Sequence, residues 1–223
     1  MSHFDIIDRN NFVILSQIDT YSFRRAGPDD QELVSHHQWL NDQCIEFWWD
    51  YVMQLFPKLK ETDDGMIFVC PSVMHMLNFL SIGDLGALTD LQLDKKKLVL
   101  MPINNNQQTS VGGTHWSLLC FLRSENAFYY YDSYKDLNLE CAQRTSEKIS
   151  YLLGTKSPSF AIASDVPQQS NGTDCGLHML LAAELVGRYW AEQQGMPESS
   201  SLISISPALA NDTRSALRIL SCR

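Results

Sequence analysis

Apolar residues at Ile45, Trp48, Trp49, Val52, Leu55 and Phe56 recur three and four positions apart, the spacing that lays one face of a helix on a core. Asn41 or Asp42 can cap this helix and Pro57 ends it. Met66 to Cys70 reads as a short buried strand or extended piece. Pro71 then opens a helix that runs through Leu80, since a proline at the first helical position gives up only an N–H that has no intrahelical acceptor. Leu85 to Leu93 predicts a further short helix. Beyond it the pattern changes. Leu98 to Ile103, His115 to Leu122 and Ala127 to Tyr131 are short aliphatic and aromatic runs bounded by polar turns, which is the mark of strands. The first two are separated by Asn104 to Gly113, Asn-Asn-Asn-Gln-Gln-Thr-Ser-Val-Gly-Gly, too polar for anything but a loop. Lys135 to Leu153 is patterned as an amphipathic helix closed by Gly154, and Ser159 to Ala163 as one more strand. An apolar run from Leu177 to Trp190 predicts a buried helix. The loop Gln193 to Ser201 leads from it to a terminal helix from Pro207 to Leu220. Helices, a compact set of strands, and helices again predict an α+β fold with a mixed sheet packed against helices.

Composition narrows the class without changing this picture. The 223 residues, 44% hydrophobic and 19% charged, suit a single globular domain over the whole chain, with the polar residues 1–38 as a peripheral arm. A net charge of -9 leaves no excess of Lys and Arg to neutralise phosphates, so a nucleic-acid partner is not expected; a basic protein segment suits the surface better. The six cysteines, Cys44, Cys70, Cys120, Cys141, Cys175 and Cys222, stand 26, 50, 21, 34 and 47 residues apart. None of these gaps makes a zinc knuckle or a redox pair, so no metal and no cofactor are expected. No run is long enough to span a bilayer, and no leader is legible. The reading is an intracellular monomer, in cytoplasm, nucleus or both, with reduced thiols and no membrane attachment.

Chemistry concentrates at Gln168 to Gly176, Gln-Gln-Ser-Asn-Gly-Thr-Asp-Cys-Gly. This turn places Cys175 at the N-terminus of the apolar helix, with Asp174 as its cap. There the positive end of the helix favours a thiolate. Gln169, six residues upstream, offers a neutral amide which, with the Cys175 backbone N–H, has the composition of an oxyanion hole. A thiol nucleophile also needs a base and an acid group to orient that base. His115 opens one predicted strand and Asp132 ends the next, so in an antiparallel pair both lie at the same end of the sheet. His178, three residues past Cys175 on the same helix face, is the rival base, with no carboxylate evidently placed to orient it.

Four ordered segments carry a resemblance: Trp-Leu-Asn-Asp at 39–42, Gly-Gly-Thr-His-Trp-Ser-Leu-Leu at 112–119, Tyr-Asp-Ser at 131–133 and the Cys175 turn. Together they resemble the sentrin/SUMO-specific protease family, which processes ubiquitin-like modifiers. The segment Ile103 to Gln108 leading to Gly112 and Gly113 is most similar to the branch that acts on Nedd8. The resemblance implies a permuted papain-like fold, Cys175 as nucleophile, His115 as base, Asp132 as its orienting carboxylate and Gln169 as oxyanion donor. It further implies that Trp39 and Trp116 wall a tunnel for a modifier's terminal Gly-Gly, since only glycine passes between two indoles. The implied partners are a Nedd8-type modifier and its lysine conjugates, cullins among them. Nedd8 and ubiquitin tails carry Arg before Gly-Gly where SUMO has Thr, and Asp42 is placed to meet that Arg. Two residues further upstream Nedd8 has Ala and ubiquitin Arg, a difference that falls to the loop carrying Asn104, Gly112 and Gly113. The chain departs from the family pattern at Thr173, where an aromatic is frequent, and at His178, where Tyr is common. A SUMO-specific protease and a Cys-dependent acetyltransferase, which uses the same His-acid-Cys order, are the alternative readings.

Overall fold

The computed structural model describes residues 39–55, 65–110, 112–197 and 205–221. In chain order these form α1 (Asp42–Leu55), β1 (Met66–Phe68), α2 (Pro71–Phe79), a 3-10 helix (Ile82–Leu91), β2 (Leu98–Asn104), β3 (Trp116–Leu122) and a 3-10 turn (Arg123–Glu125). There follow β4 (Ala127–Tyr131), α3 (Leu139–Leu153), β5 (Ser159–Ile162), α4 (Cys175–Gln193) and α5 (Pro207–Ser221). The five strands lie in one sheet in chain order. The inner pairs β2–β3 and β3–β4 are antiparallel, and the outer pairs β1–β2 and β4–β5 are parallel. This is the mixed sheet with helices that the strand and helix pattern predicts.

Both faces of the sheet are covered, and this accounts for the continuous apolar runs of the central strands. Leu98, Leu100, Leu118, Cys120 and Leu122 point to one side, into a core shared with α1, α4 and α5. Val99, Met101, Leu119, Phe121 and Phe128 point to the other, against α2, the 3-10 helix and α3. β3 is buried at all seven positions, and each large side chain so buried contributes about 1.5–3 kcal/mol. β3 is therefore a rigid base for whatever residue stands at its end, and that residue is His115.

Several boundaries differ from the sequence reading, each for a local reason. The cap of α1 is Asn41, whose Oδ1 accepts from Cys44 N at 2.9 Å; Asp42 is the first helical residue and stays available. The helix read from Lys135 begins only at Leu139. Residues 133–138 instead form a turn in which Lys135 and Asp136 take φ of 51° and 57°. The segment read as a short helix from Leu85 is 3-10 and runs Ile82–Leu91. The strand read from His115 starts at Trp116. Residues 1–38, Pro57 and Cys222 lie outside the described residues.

Candidate active site

The register of β3 and β4 sets Leu118 opposite Tyr131. Chain positions just before β3 and just after β4 therefore share one end of the sheet, and α4 packs across β3 with its first residue at that end. Three side chains meet there. His115 Nε2 lies 2.5 Å from Asp132 Oδ1, and the imidazole also hydrogen-bonds the side chain of Cys175. Cys175 is 1% exposed, and His115 and Asp132 are each 3% exposed. Burial pulls the His115 pKa down, but the hydrogen bonds to Asp132 and Cys175 outweigh it and leave the imidazole at about 9. For Asp132, burial works upward and is outweighed by the bonds from His115 and Tyr130, so its carboxyl is held below the ordinary range. A carboxylate, an imidazole that keeps its proton and a thiol thus stand in hydrogen-bonded order.

The turn after β4 is built around Asp132, which is why no helix starts at Lys135. Tyr130 Oη and Asn138 N donate to Oδ2 at 2.6 and 3.1 Å, and Tyr134 N to Oδ1 at 2.9 Å. Asn138, fully buried, also donates from Nδ2 to the carbonyls of Ile103 and His115 at 3.0 and 3.1 Å, tying β2, His115 and Asp132 together. Sequence reasoning passed over Asn138 and Tyr130; the helix read from Lys135 takes in Asn138 and carries no sign of this bracing. Gln168 was also missed, although it lies in the motif. Its Nε2 donates to Asp132 O at 3.1 Å and its Oε1 accepts from Lys135 N at 2.8 Å.

Gln169 is laced to the same turn. Its backbone N donates to Ser133 O at 2.9 Å, and its Oε1 accepts from Ser133 Oγ at 2.7 Å. Its Nε2 donates one hydrogen to Asn171 O at 2.6 Å, and the amide has a second. Asp174 is the N-cap residue of α4 by position, but its side chain caps nothing, contrary to expectation. It bonds Asn171 and Arg214 instead. Gly176 packs closely: a Cβ there would lie 3.1 Å from Leu40 Cβ, a tight contact, so its absence lets the start of α4 seat against the segment that carries Trp39. His178, buried one turn into α4, has its pKa lowered by burial against an upward pull from Asp174.

A cleft of about 490 Å³ opens beside this centre, lined among others by Asp42, His75, Asn104, Asn106, Gly112 and Trp116. Cys175, His115 and Asp132 do not line it; it reaches them through Trp116, the neighbour of His115. Four of the predicted binding residues, Asp42, Trp116, Asn104 and Gly112, are thus brought together. Trp116 is buried and donates from Nε1 to Leu40 O at 2.8 Å, whereas Trp39 is half-exposed and donates to Gly172 O at 2.6 Å. Trp39 therefore belongs to the rim of the Cys175 turn rather than to the cleft wall. Asn104 has a structural task besides lining the cleft, since its Oδ1 accepts from Asn106 N at 2.8 Å. Gly113, at φ of 90°, lies so close that a Cβ there would fall 1.8 Å from that oxygen. Asp42 is half-buried in the cleft, where desolvation and the neighbouring Glu46 raise its pKa. Among the described residues no group of His, Cys, Asp or Glu could hold a metal ion, and no helix is long and apolar enough to cross a membrane.

Residues 38–212 match the model of the Ulp1 protease family, C-terminal catalytic domain. The chain belongs to the Ulp1 protease family. It is 31% identical over 205 residues to sentrin-specific protease 8 of Homo sapiens, covering 91% of this chain and 92% of that protein. To NEDD8-specific protease 1 of Arabidopsis thaliana it is 28% identical, over 78% and 76% of the two chains. The fold matches that of the Ulp1 protease domain solved in complex with Smt3, the yeast ortholog of SUMO, with a TM-score of 0.63 at 18% identity over 93% and 91% of the chains. As a member of this family the chain is a cysteine protease that acts on ubiquitin-like modifiers.

Proposed function

We propose that this protease cleaves after the terminal Gly-Gly of Nedd8, maturing its precursor, releasing it from lysine side chains such as those of cullins, or both. The observation that carries the chemistry is the hydrogen-bonded order Asp132, His115, Cys175 at the start of α4. Cys175 attacks the glycine carbonyl carbon as a thiolate, and the carbonyl π electrons move to oxygen. The Cys175 N–H and the free hydrogen of the Gln169 amide bind that oxyanion. On collapse the C–N bond breaks, and His115 passes its proton to the departing amine. The same imidazole then takes a proton from water, which attacks the thioester and returns the thiol. Asp132 fixes the ring and supports its positive charge throughout.

For the modifier, the supporting observation is Asp42. Its carboxylate is disfavoured by burial and by Glu46, with His75 pulling the other way, so a cation entering the cleft, as the Arg of a Nedd8 tail would, stabilises it. The Asn104 to Gly113 segment beside it is suited to crowding out the longer side chain found upstream in ubiquitin. Relatives named as NEDD8-specific proteases point the same way.

The test is kcat/KM on fluorogenic Nedd8, ubiquitin and SUMO substrates with wild type, Asp42→Ala and Cys175→Ala. Nedd8 should lead, ubiquitin follow far behind and SUMO be negligible. Asp42→Ala should cost about 2 to 5 kcal/mol on Nedd8, and Cys175→Ala should be inert while still binding the modifier. A wild-type preference for SUMO moves the assignment to a SUMO protease, and cleavage by Cys175→Ala removes the nucleophile.

A further inference from the structure

Asp174 stands where an N-cap aspartate ordinarily accepts from the first-turn N–H groups, and it accepts from none of them. Its Oδ1 instead receives Arg214 Nη2 at 2.8 Å, and its Oδ2 receives Asn171 Nδ2 at 2.7 Å. Arg214 comes from α5, and its guanidinium also reaches Thr173 O at 3.4 Å. The two side chains of the pair are 4% and 5% exposed. A buried pair of this kind is a poor source of net stability, because desolvation offsets most of the attraction. What it does change is the charge and geometry one residue before Cys175.

We infer that Arg214 is a positioning residue of the active site. It draws the Asp174 carboxylate away from the N-terminus of α4 and neutralises it, which keeps the first-turn N–H groups open for the oxyanion and keeps a negative charge from opposing the Cys175 thiolate. An unpaired Asp174 would act against catalysis in two ways. Its carboxylate would turn onto the N–H groups of Gly176 and Leu177, setting a negative charge against the oxyanion site, and that same charge would disfavour the thiolate. The other ionisable groups packed about this helix start are His115 and Asp132 from the sheet and His178 from α4 itself. Of the described groups, Arg214 is the one bonded to Asp174 that carries a fixed positive charge. The inference rests on Cys175 being the nucleophile.

The experiment uses the full chain as wild type, Cys175→Ala, Arg214→Gln, Arg214→Lys and the double variant Arg214→Gln with Asp174→Asn. It reads kcat and KM on the fluorogenic Gly-Gly modifier, and the pH dependence of iodoacetamide labelling measured at the Cys175 peptide. Arg214→Gln should lower kcat about 10- to 100-fold with KM nearly unchanged, and should raise the labelling midpoint by about one pH unit. Arg214→Lys, which keeps the charge, should keep the wild-type midpoint, and the double variant should restore that midpoint and most of kcat. The inference is overturned by an unmoved midpoint in Arg214→Gln, by equal shifts in the Gln and Lys variants, or by a double variant no better than the single. Cleavage persisting in Cys175→Ala would remove the nucleophile and the inference together. An inert Cys175→Ala beside an unaffected Arg214→Gln removes the inference alone.

Discussion

Two buried histidines stand beside the start of α4, each with an aspartate near it, and their environments differ in kind. His115 bonds Asp132 directly at 2.5 Å, and Asp132 receives three further donors from Tyr130, Tyr134 and Asn138. His178 faces an aspartate whose oxygens are already taken by Arg214 and Asn171, and its Nδ1 has no hydrogen-bond partner among the described residues. Burial lowers the pKa of both rings, yet His115 is carried up to about 9 while His178 stays below its ordinary value. Proximity to a carboxylate therefore does not make a base. A direct hydrogen bond between ring and carboxylate does, because it stabilises the imidazolium that burial would otherwise forbid.

The largest effect that tests this comparison is the loss of each ring in turn. His115→Ala should lower kcat/KM about 10⁴-fold or more, while His178→Ala should stay within a few-fold; an inert His178→Ala beside an active His115→Ala would reverse the assignment. Next in size is Asp132→Asn, expected to cost up to about 10⁴-fold by presenting the wrong face to the ring. The accompanying pH profile carries the sign. In the wild type the alkaline limb should fall near the His115 value of about 9, and in Asp132→Asn it should move to lower pH. The same raised pKa bears on stability: the His115 contribution is full below the unfolded value of about 6.5 and is lost as pH rises through about 9. Thermal melts of wild type should thus fall between those pH values more than melts of His115→Ala. The smallest effect is His178→Leu. It removes a buried polar atom that lacks a partner among the described residues and should leave Tm unchanged or slightly higher, whereas a large drop in Tm would mean that this ring is paired after all.

Much of the site is local and was therefore open to sequence reasoning. The position of Cys175 at a helix start follows from a polar turn before an apolar run. The placing of His115 and Asp132 at one end of the sheet follows from two short strands joined by a tight turn, because antiparallel pairing leaves little choice. Asp42 and Trp116 entered through motif resemblance, and the cleft joins them. The bracing around these residues was not legible. Asn138 fell inside the helix read from Lys135, and Gln168 could not be told from Gln169 by type.

The chain by itself determined which residue types recur with helical or strand period, and hence the order of elements and the end of the sheet where chemistry collects. Tertiary structure alone decided which side chains complete the site. Asp174 was assigned a cap by its local sequence and gave it up to Arg214, 40 residues along the chain. Lys135 was assigned to a helix whose start was displaced by the donors gathered on Asp132. In each case a charged group brought into a dry interior took whichever donors the fold gathered around it, near or far along the chain, because a buried charge cannot be left to local preferences that are worth only about 1 kcal/mol.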